Sequence, residues 1–264
     1  MARTKRHGLN AARVDAALLD ALAARKGLVC LVGAGGKKTL LYRLAALHPG
    51  RVGITATSHI ERFPRALSAT VLIDTEEKLL EQILAAGPVQ AIAFAQPSEK
   101  RGRYAGLSPS KISEICSAAG FDACYIKADG ARNRLLKAPN LDEPPIPAGT
   151  HTVIPVLSAR ALGRPASDQV IHRLECFMAV TGVKAGEPII PNHIAQLLAS
   201  DRGALKNVGD ALVVPVINMV DNRERETLAR EAAEQALTLT ERFDRIVLTT
   251  LRSTQPIVDI VYRS

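Results

Sequence analysis

Apolar positions fall along this chain in two alternating kinds of block, and the alternation predicts most of the architecture. In "AARVDAALLDALAA", residues 11–24, Val14, Leu18, Leu19 and Leu22 share one helical face. The next block, "GLVCLVG" from Gly27, is apolar at every position, as in a strand buried on both sides. A glycine turn follows, then "KTLLYRLAALH" with leucines at helical spacing, and after Pro49-Gly50 a second apolar strand in "RVGITATSHI". Strand, turn, helix and strand make one βαβ unit.

The alternation continues with a helix near "EEKLLEQILAA", a strand at "VQAIAFA", and a helix opened by Ser108 as N-cap with Pro109 in its first turn. A strand in "FDACYIKADG" ends at the carboxylate of Asp129. Residues 130–150 hold four prolines without apolar periodicity and predict an irregular segment, a kind that often carries function. Beyond it we expect a strand at "HTVIPVL", helices around "LECFMAVTG" and "NHIAQLLAS", a strand "ALVVPVINMVD", a helix "RERETLAREAAEQALTL", and strands "DRIVLTTL" and "PIVDIVY". The expected fold class is α/β, a mostly parallel sheet covered by helices on both faces; the resemblance described below makes it P-loop NTPase-like. Because the pattern resumes after residue 150, one domain over 1–264 is expected.

Composition narrows the partners. A formal charge of +8 favours an anionic partner. Five phenylalanines, four tyrosines and no tryptophan leave few platforms for stacking bases, which argues against nucleic acid. No apolar run reaches the roughly 18 to 20 residues of a membrane helix, and "MARTKRHGLN" has no apolar signal segment behind it, so a cytoplasmic protein without a membrane partner is expected. Cys30, Cys116, Cys124 and Cys176 form no CxxC pair; burial as small hydrophobes is the expected role for most of them.

Candidate chemistry concentrates in "LVGAGGKKTL", residues 31–40. At a strand-to-helix turn, backbone N–H groups converge on an anion and glycines let it approach, as Gly33, Ala34, Gly35 and Gly36 would allow. Lys37 stands where a P-loop lysine reaches the β/γ-phosphates. Lys38 occupies the place of the hydroxyl that ligates Mg²⁺, Thr39 is one residue late, and Leu31 stands where the first glycine of GxxxxGK[ST] belongs. Asp129, at a strand's C-terminal end, is placed to hold Mg²⁺ or its water, with Lys127 on the same side of the strand as a candidate neutralising partner. An Asp-Gly turn capped by its own side chain is the competing structural reading. Arg132, Arg134 and Lys137 follow with a cation density suited to phosphate or carboxylate recognition. Asn218 and Asp221 in "VINMVD" are spaced as in the base-reading NKxD motif, with Met219 in place of its lysine. His59 and His172 are the two histidines at notable positions, although a lone histidine more often packs than ligates.

Together these segments resemble the YqeC family of selenium cofactor biosynthesis proteins, accessory to selenium-dependent molybdenum hydroxylases. The family's GAGGKTT loop is matched from Gly33 to Thr39, its TTTTHI strand end by "TATSHI" from Thr55, and its GLSP turn from Gly106 to Pro109. Its EADGAR-x-x-x-LKAP segment is matched by "KADGARNRLLKAP", its EPxIP element by "EPPIP", and its VHRxE element by "IHRLE", which includes His172 and Arg173. The chain departs from the family at Lys38 for threonine, Lys127 for glutamate and Met219 for lysine.

The resemblance implies a P-loop fold, ATP or GTP as ligand, and a role in maturing the hydroxylase. Gly33 to Thr39 would hold phosphates; Thr39, Thr57 and Asp129 are the candidates for Mg²⁺; Arg132 and Lys137 would bind an anionic second substrate or stabilise transferring charge. The added lysines argue against efficient Mg²⁺-dependent turnover. The alternative is a non-catalytic carrier for an anionic cofactor, or a scaffold docking on the molybdenum hydroxylase, and whether the chain is an enzyme stays open between the two.

Overall fold

The computed structural model describes residues 17–263. Val14 and the start of the first expected helix lie outside that range; residues 17–21 are helical, and Leu18, Leu19 and Leu22 are fully buried. The central strands are β1 (Gly27–Gly33), β2 (Val52–Ala56), β3 (Thr70–Ile73), β4 (Ala91–Ala95), β5 (Ala123–Lys127), β6 (Thr150–Ser158), β7 (Val216–Asn218), β8 (Arg245–Thr249) and β9 (Ile257–Tyr262). They lie in the order β9-β8-β7-β6-β1-β5-β2-β4-β3, all parallel except β9, which runs antiparallel beside β8. The helices are α1 (Lys37–Leu47), α2 (Glu76–Ala85), α3 (Pro109–Ala118), α4 (Leu174–Thr181), α5 (Pro191–Ala199) and α6 (Arg223–Leu239).

The continuous apolar runs follow from burial on two faces. On β1, Val29 and Leu31 pack with Leu40, Leu41 and Leu44 of α1 and with the leucines at 18–22. Leu28, Cys30 and Val32 point the other way, into a layer shared with α2, α3, α4, α5 and α6. Helix ends follow the capping signals: Ser108 accepts a hydrogen bond from the Lys111 amide, and Asn222 caps α6 through the Arg225 amide. Cys30, Cys116 and Cys124 are buried and Cys176 partly so, all free thiols.

Three expectations need correction. The edge strand β3 was not foreseen; two of its four residues are exposed and two half-buried, without a buried run. The expected strand "ALVVPVINMVD" is divided into Leu212–Val213, which pairs with β6, and β7, because Pro215 has no N–H to continue the ladder. Within residues 130–150, Leu136–Lys137 pairs with Ile171–His172 in a small parallel sheet, so part of that segment is ordered by hydrogen bonds. A second small ribbon, Ile60–Glu61 with Arg103–Tyr104, stands beyond β2.

Candidate functional site

Chain order diverges on either side of β1, with β5 and β2 to one side and β6 and β7 to the other, and ligands of open α/β sheets bind at such a point. Register sets the geometry: Gly33 pairs with Val156, and Asn218 with Ser158, which brings the ends of β1, β6 and β7 to one edge. An added Cβ on Gly33 would lie 2.4 Å from the Val156 carbonyl oxygen, and one on Gly36, at φ 140°, would lie 2.3 Å from Nδ2 of Asn218. That amide donates to the Gly35 carbonyl at 2.8 Å, while its Oδ1 accepts from Thr249 Oγ1 and the Leu251 amide, both at 3.2 Å. Asn218 is thus a brace that ties the glycine loop to the ends of β7 and β8. We expect Gly36→Ala to displace this brace, lower stability by about 1–3 kcal/mol and weaken anion binding; unchanged melting temperature and affinity would refute the close fit.

Beyond the loop, α1 begins without a side-chain cap and without an acidic residue in its first turn. Its first two residues are lysines, which the positive end of a helix disfavours unless an anion is nearby. The N–H groups of this turn border an open cleft of about 600 Å³. Nine cationic side chains and two carboxylates, Glu61 and Glu143, line it. Thr39, His59, Arg132, His172, Arg173 and Met219 also face this space.

Next to the glycine loop, the buried Asp129 is held from three sides. Lys37 Nζ lies 2.6 Å from Oδ1, Lys137 Nζ 3.0 Å from Oδ2, and the Gly33 amide donates to Oδ2 at 3.0 Å. Lys37 also donates to the Gly33 carbonyl, and Lys137 to the Gly130 carbonyl at 2.8 Å and to Glu143 at 2.9 Å. Burial alone would raise the Asp129 carboxyl, but the two ammonium groups outweigh it and hold it below the usual carboxylate range. Burial lowers Lys37 against the pull of Asp129. The expected pairing of Asp129 with Lys127 is corrected: Lys127 donates instead to Ser58 Oγ at 2.7 Å and the His59 carbonyl at 2.9 Å. The self-capped Asp-Gly turn is not formed either.

As arranged, the expected magnesium ligands do not offer a divalent cation a set of free oxygens. Both Asp129 oxygens face ammonium groups, and the Thr57 hydroxyl donates to the Ala128 carbonyl at 2.9 Å. Thr39 lines the cleft beside Lys38, whose ammonium is 2.5 Å from Glu61. Among the described residues no group of three or more His, Cys, Asp or Glu side chains is placed to hold a metal.

The other expected residues divide into two sets. Asp221 lies outside the cleft lining, gripped by Arg160 at 2.5 and 2.9 Å and by Arg225 at 3.3 Å. Met219, with φ 63°, lines the cleft and accepts a contact from Ser158 Oγ at 3.1 Å. Arg173, also in the cleft lining, pairs with Glu143 at 3.0 Å. His172 is driven down to about 4 by burial and by the adjacent Lys137 and Arg173, which leaves it neutral. Arg132, at φ 46°, is exposed in the cleft and has no hydrogen bond or ion pair among the described residues. Sequence reasoning passed over Lys100, Arg103 and Arg252, which also line the cleft. The cation density of "EKRGR", just before the GLSP turn, was the available signal for the first two.

A family model described as "YqeC protein" matches residues 29–175, which include the glycine loop, Asp129 and His172. The chain belongs to the YqeC family. A YqeC relative from Escherichia coli (strain K12), described as "Uncharacterized protein YqeC", is 31% identical over 187 residues, covering 70% of this chain and 72% of that protein. Among solved structures, HypB from Helicobacter pylori in complex with nickel is similar at 12% identity and a TM-score of 0.39, over 95% of this chain and 89% of that one. Among the described residues, no helix of this YqeC protein is long and apolar enough to cross a membrane.

Proposed function

We propose that this YqeC protein binds the phosphates of ATP or GTP at its glycine loop and acts as an accessory factor in maturing a selenium-dependent molybdenum hydroxylase. The observation that carries the nucleotide reading is the uncapped N-terminus of α1, with two lysines against the helix dipole, opening on a cationic cleft. In this reading Gly33, Ala34, Gly35 and Gly36 cradle the phosphates by their backbone, Lys37 and Thr39 reach them from α1, and Asn218 keeps the loop in shape. Arg132, exposed in the cleft, and the buried Lys137 serve the charge of a second ligand. Family membership supports the role in cofactor maturation.

A second reading is favoured by the Asp129 network: a carboxylate already shared by two buried lysines is poorly available to magnesium or to an attacking water. That suits a carrier of an anionic cofactor, or a scaffold for the hydroxylase, with binding but no turnover.

Calorimetry with ATP and GTP, each with and without Mg²⁺, separates the readings. We expect one nucleotide per chain and an affinity that Mg²⁺ changes by less than about threefold, because the ammonium groups already neutralise the phosphates. Strong Mg²⁺ dependence with steady phosphate release would establish the hydrolytic enzyme, and absence of binding would overturn the nucleotide reading. ATP and GTP should bind within about fivefold of one another, since Arg160 and Arg225 occupy the carboxylate of Asp221 that guanine reading needs.

A further inference from the structure

We infer that the cleft holds a second anion subsite, formed by Lys100, Arg103, Lys127 and His59, which takes a tetrahedral, phosphate-like oxyanion belonging to a molecule other than the nucleotide. The order of the two ligands rests on the nucleotide reading; the subsite itself does not.

The first support is a buried cation without a counter-charge. Lys127, at the end of β5, is 7% exposed, and among the described residues no carboxylate forms an ion pair with it. Its ammonium has three N–H donors and gives two of them to neutral oxygens, on Ser58 and His59. The third belongs to a side chain that lines the cleft. A buried charge without an opposite partner is costly, and an anion entering the cleft would offset that cost.

The second support is the ribbon whose first strand follows directly on Ser58 and His59, the two residues that hold Lys127. Arg103 lies opposite Glu61 in register, and the chain between the ribbon's strands carries Lys100. Both cations are exposed, both line the cleft, and neither side chain has a hydrogen bond or ion pair among the described residues. Of the two carboxylates that line the cleft, Glu61 belongs to this ribbon, and Lys38 engages it at 2.5 Å. Three cations therefore remain for an anion that the glycine loop does not hold.

The charge environment of Lys127 predicts how binding depends on pH. It interacts with Lys37 and Lys38 from α1, with Asp129 and Lys137 from the segment after β5, with His59 from the loop after β2 and with Glu61 from the ribbon, and it shares the cleft lining with Lys100 and Arg103. Burial, then Lys37, Lys137 and Lys38, lower its ammonium to about 7 despite Asp129. An oxyanion favours the protonated amine, so above that value binding takes up a proton and affinity falls as pH rises; below it affinity is level. His59, lowered by burial, Lys100, Arg103 and Lys127, remains neutral in this range.

Sulfate is the probe, because it does not titrate here. Calorimetry on the full chain saturated with ATP should show one sulfate per chain. The double variant K100A/R103A should weaken sulfate by at least about tenfold while ATP affinity moves less than about threefold. In the wild type, sulfate should weaken between pH about 7 and about 9, and in Lys127→Met, which keeps the buried volume, that slope should vanish. If sulfate binds only in competition with ATP, the corner serves the nucleotide's own phosphates and the second-molecule proposal is overturned. Equal sulfate affinity in the double variant overturns the subsite. Should ATP fail to bind while the double variant still loses sulfate, the subsite stands and the nucleotide reading falls.

Discussion

Replacing Asp129 by asparagine should cost the fold about 3–5 kcal/mol, the largest stability effect expected at any single position of the site. The change keeps the side-chain volume and an oxygen for the Gly33 amide, but it leaves Lys37 and Lys137, 5% and 3% exposed, without their shared charge. Glu143 compensates Lys137 in part, at 2.9 Å, and burial already favours release of the Lys37 proton, so the upper end of the range is a ceiling. Urea denaturation measures this as a lowered midpoint with an unchanged slope. A difference under about 1 kcal/mol would show that the network is not an ion-pair core.

Acid provides an independent check of the same assignment. The folded carboxyl of Asp129 lies below its unfolded value of about 4, so its stabilisation is fully present above that value and disappears as pH falls through the lowered one. The gap between wild type and Asp129→Asn should therefore be constant near neutral pH and close on strong acidification. A gap that widened in acid would mean that the carboxyl is raised, with burial outweighing the lysines.

This network also marks where sequence reasoning stopped. Strands β1, β2, β4, β5, β6 and β8 were legible because two-sided burial demands unbroken apolar runs, α3 because Ser108 and Pro109 mark its start, and α1 and α6 through their helical periodicity. The strand β3 was not legible: its apolar run, Val71 to Ile73, is only three residues long and lies at the sheet edge beside β4 alone. The loop's glycines were legible as an anion cradle, whereas the partner of Asp129 was not. Adjacency along β5 pointed to Lys127, but the ammonium groups that reach the carboxylate come from α1, 92 residues earlier, and from the small ribbon at Lys137. Which cation meets which carboxylate depends on strand order and register, neither of which local spacing encodes. Lys100 and Arg103 went unnoticed for a related reason: as a charge run they look like a solvated turn, and only the pairing of Arg103–Tyr104 with Ile60–Glu61 brings them over the cleft.

Lys37→Met should weaken ATP or GTP binding by about 10- to 100-fold, the largest functional effect we expect, corresponding to loss of one charge-assisted hydrogen bond to phosphate. In the present arrangement the ammonium is turned to Asp129 and to the Gly33 carbonyl, so a bound phosphate must share or draw it away. That competition sets a moderate wild-type affinity and makes the lysine's contribution a difference between two good partners. The fold should tolerate the change better than Asp129→Asn, because Asp129 keeps Lys137 and the Gly33 amide, and methionine fills the same volume. Lys38→Met is the matched control: its ammonium is engaged by Glu61 and partly solvent-exposed, so its removal should reduce affinity by less than about fivefold. If the two variants lose affinity equally, the cleft attracts nucleotide by net charge and the glycine loop has no special role. If Lys37→Met binds as the wild type does, the ammonium belongs wholly to the Asp129 network, and the loop is then a structural turn around a buried ion pair.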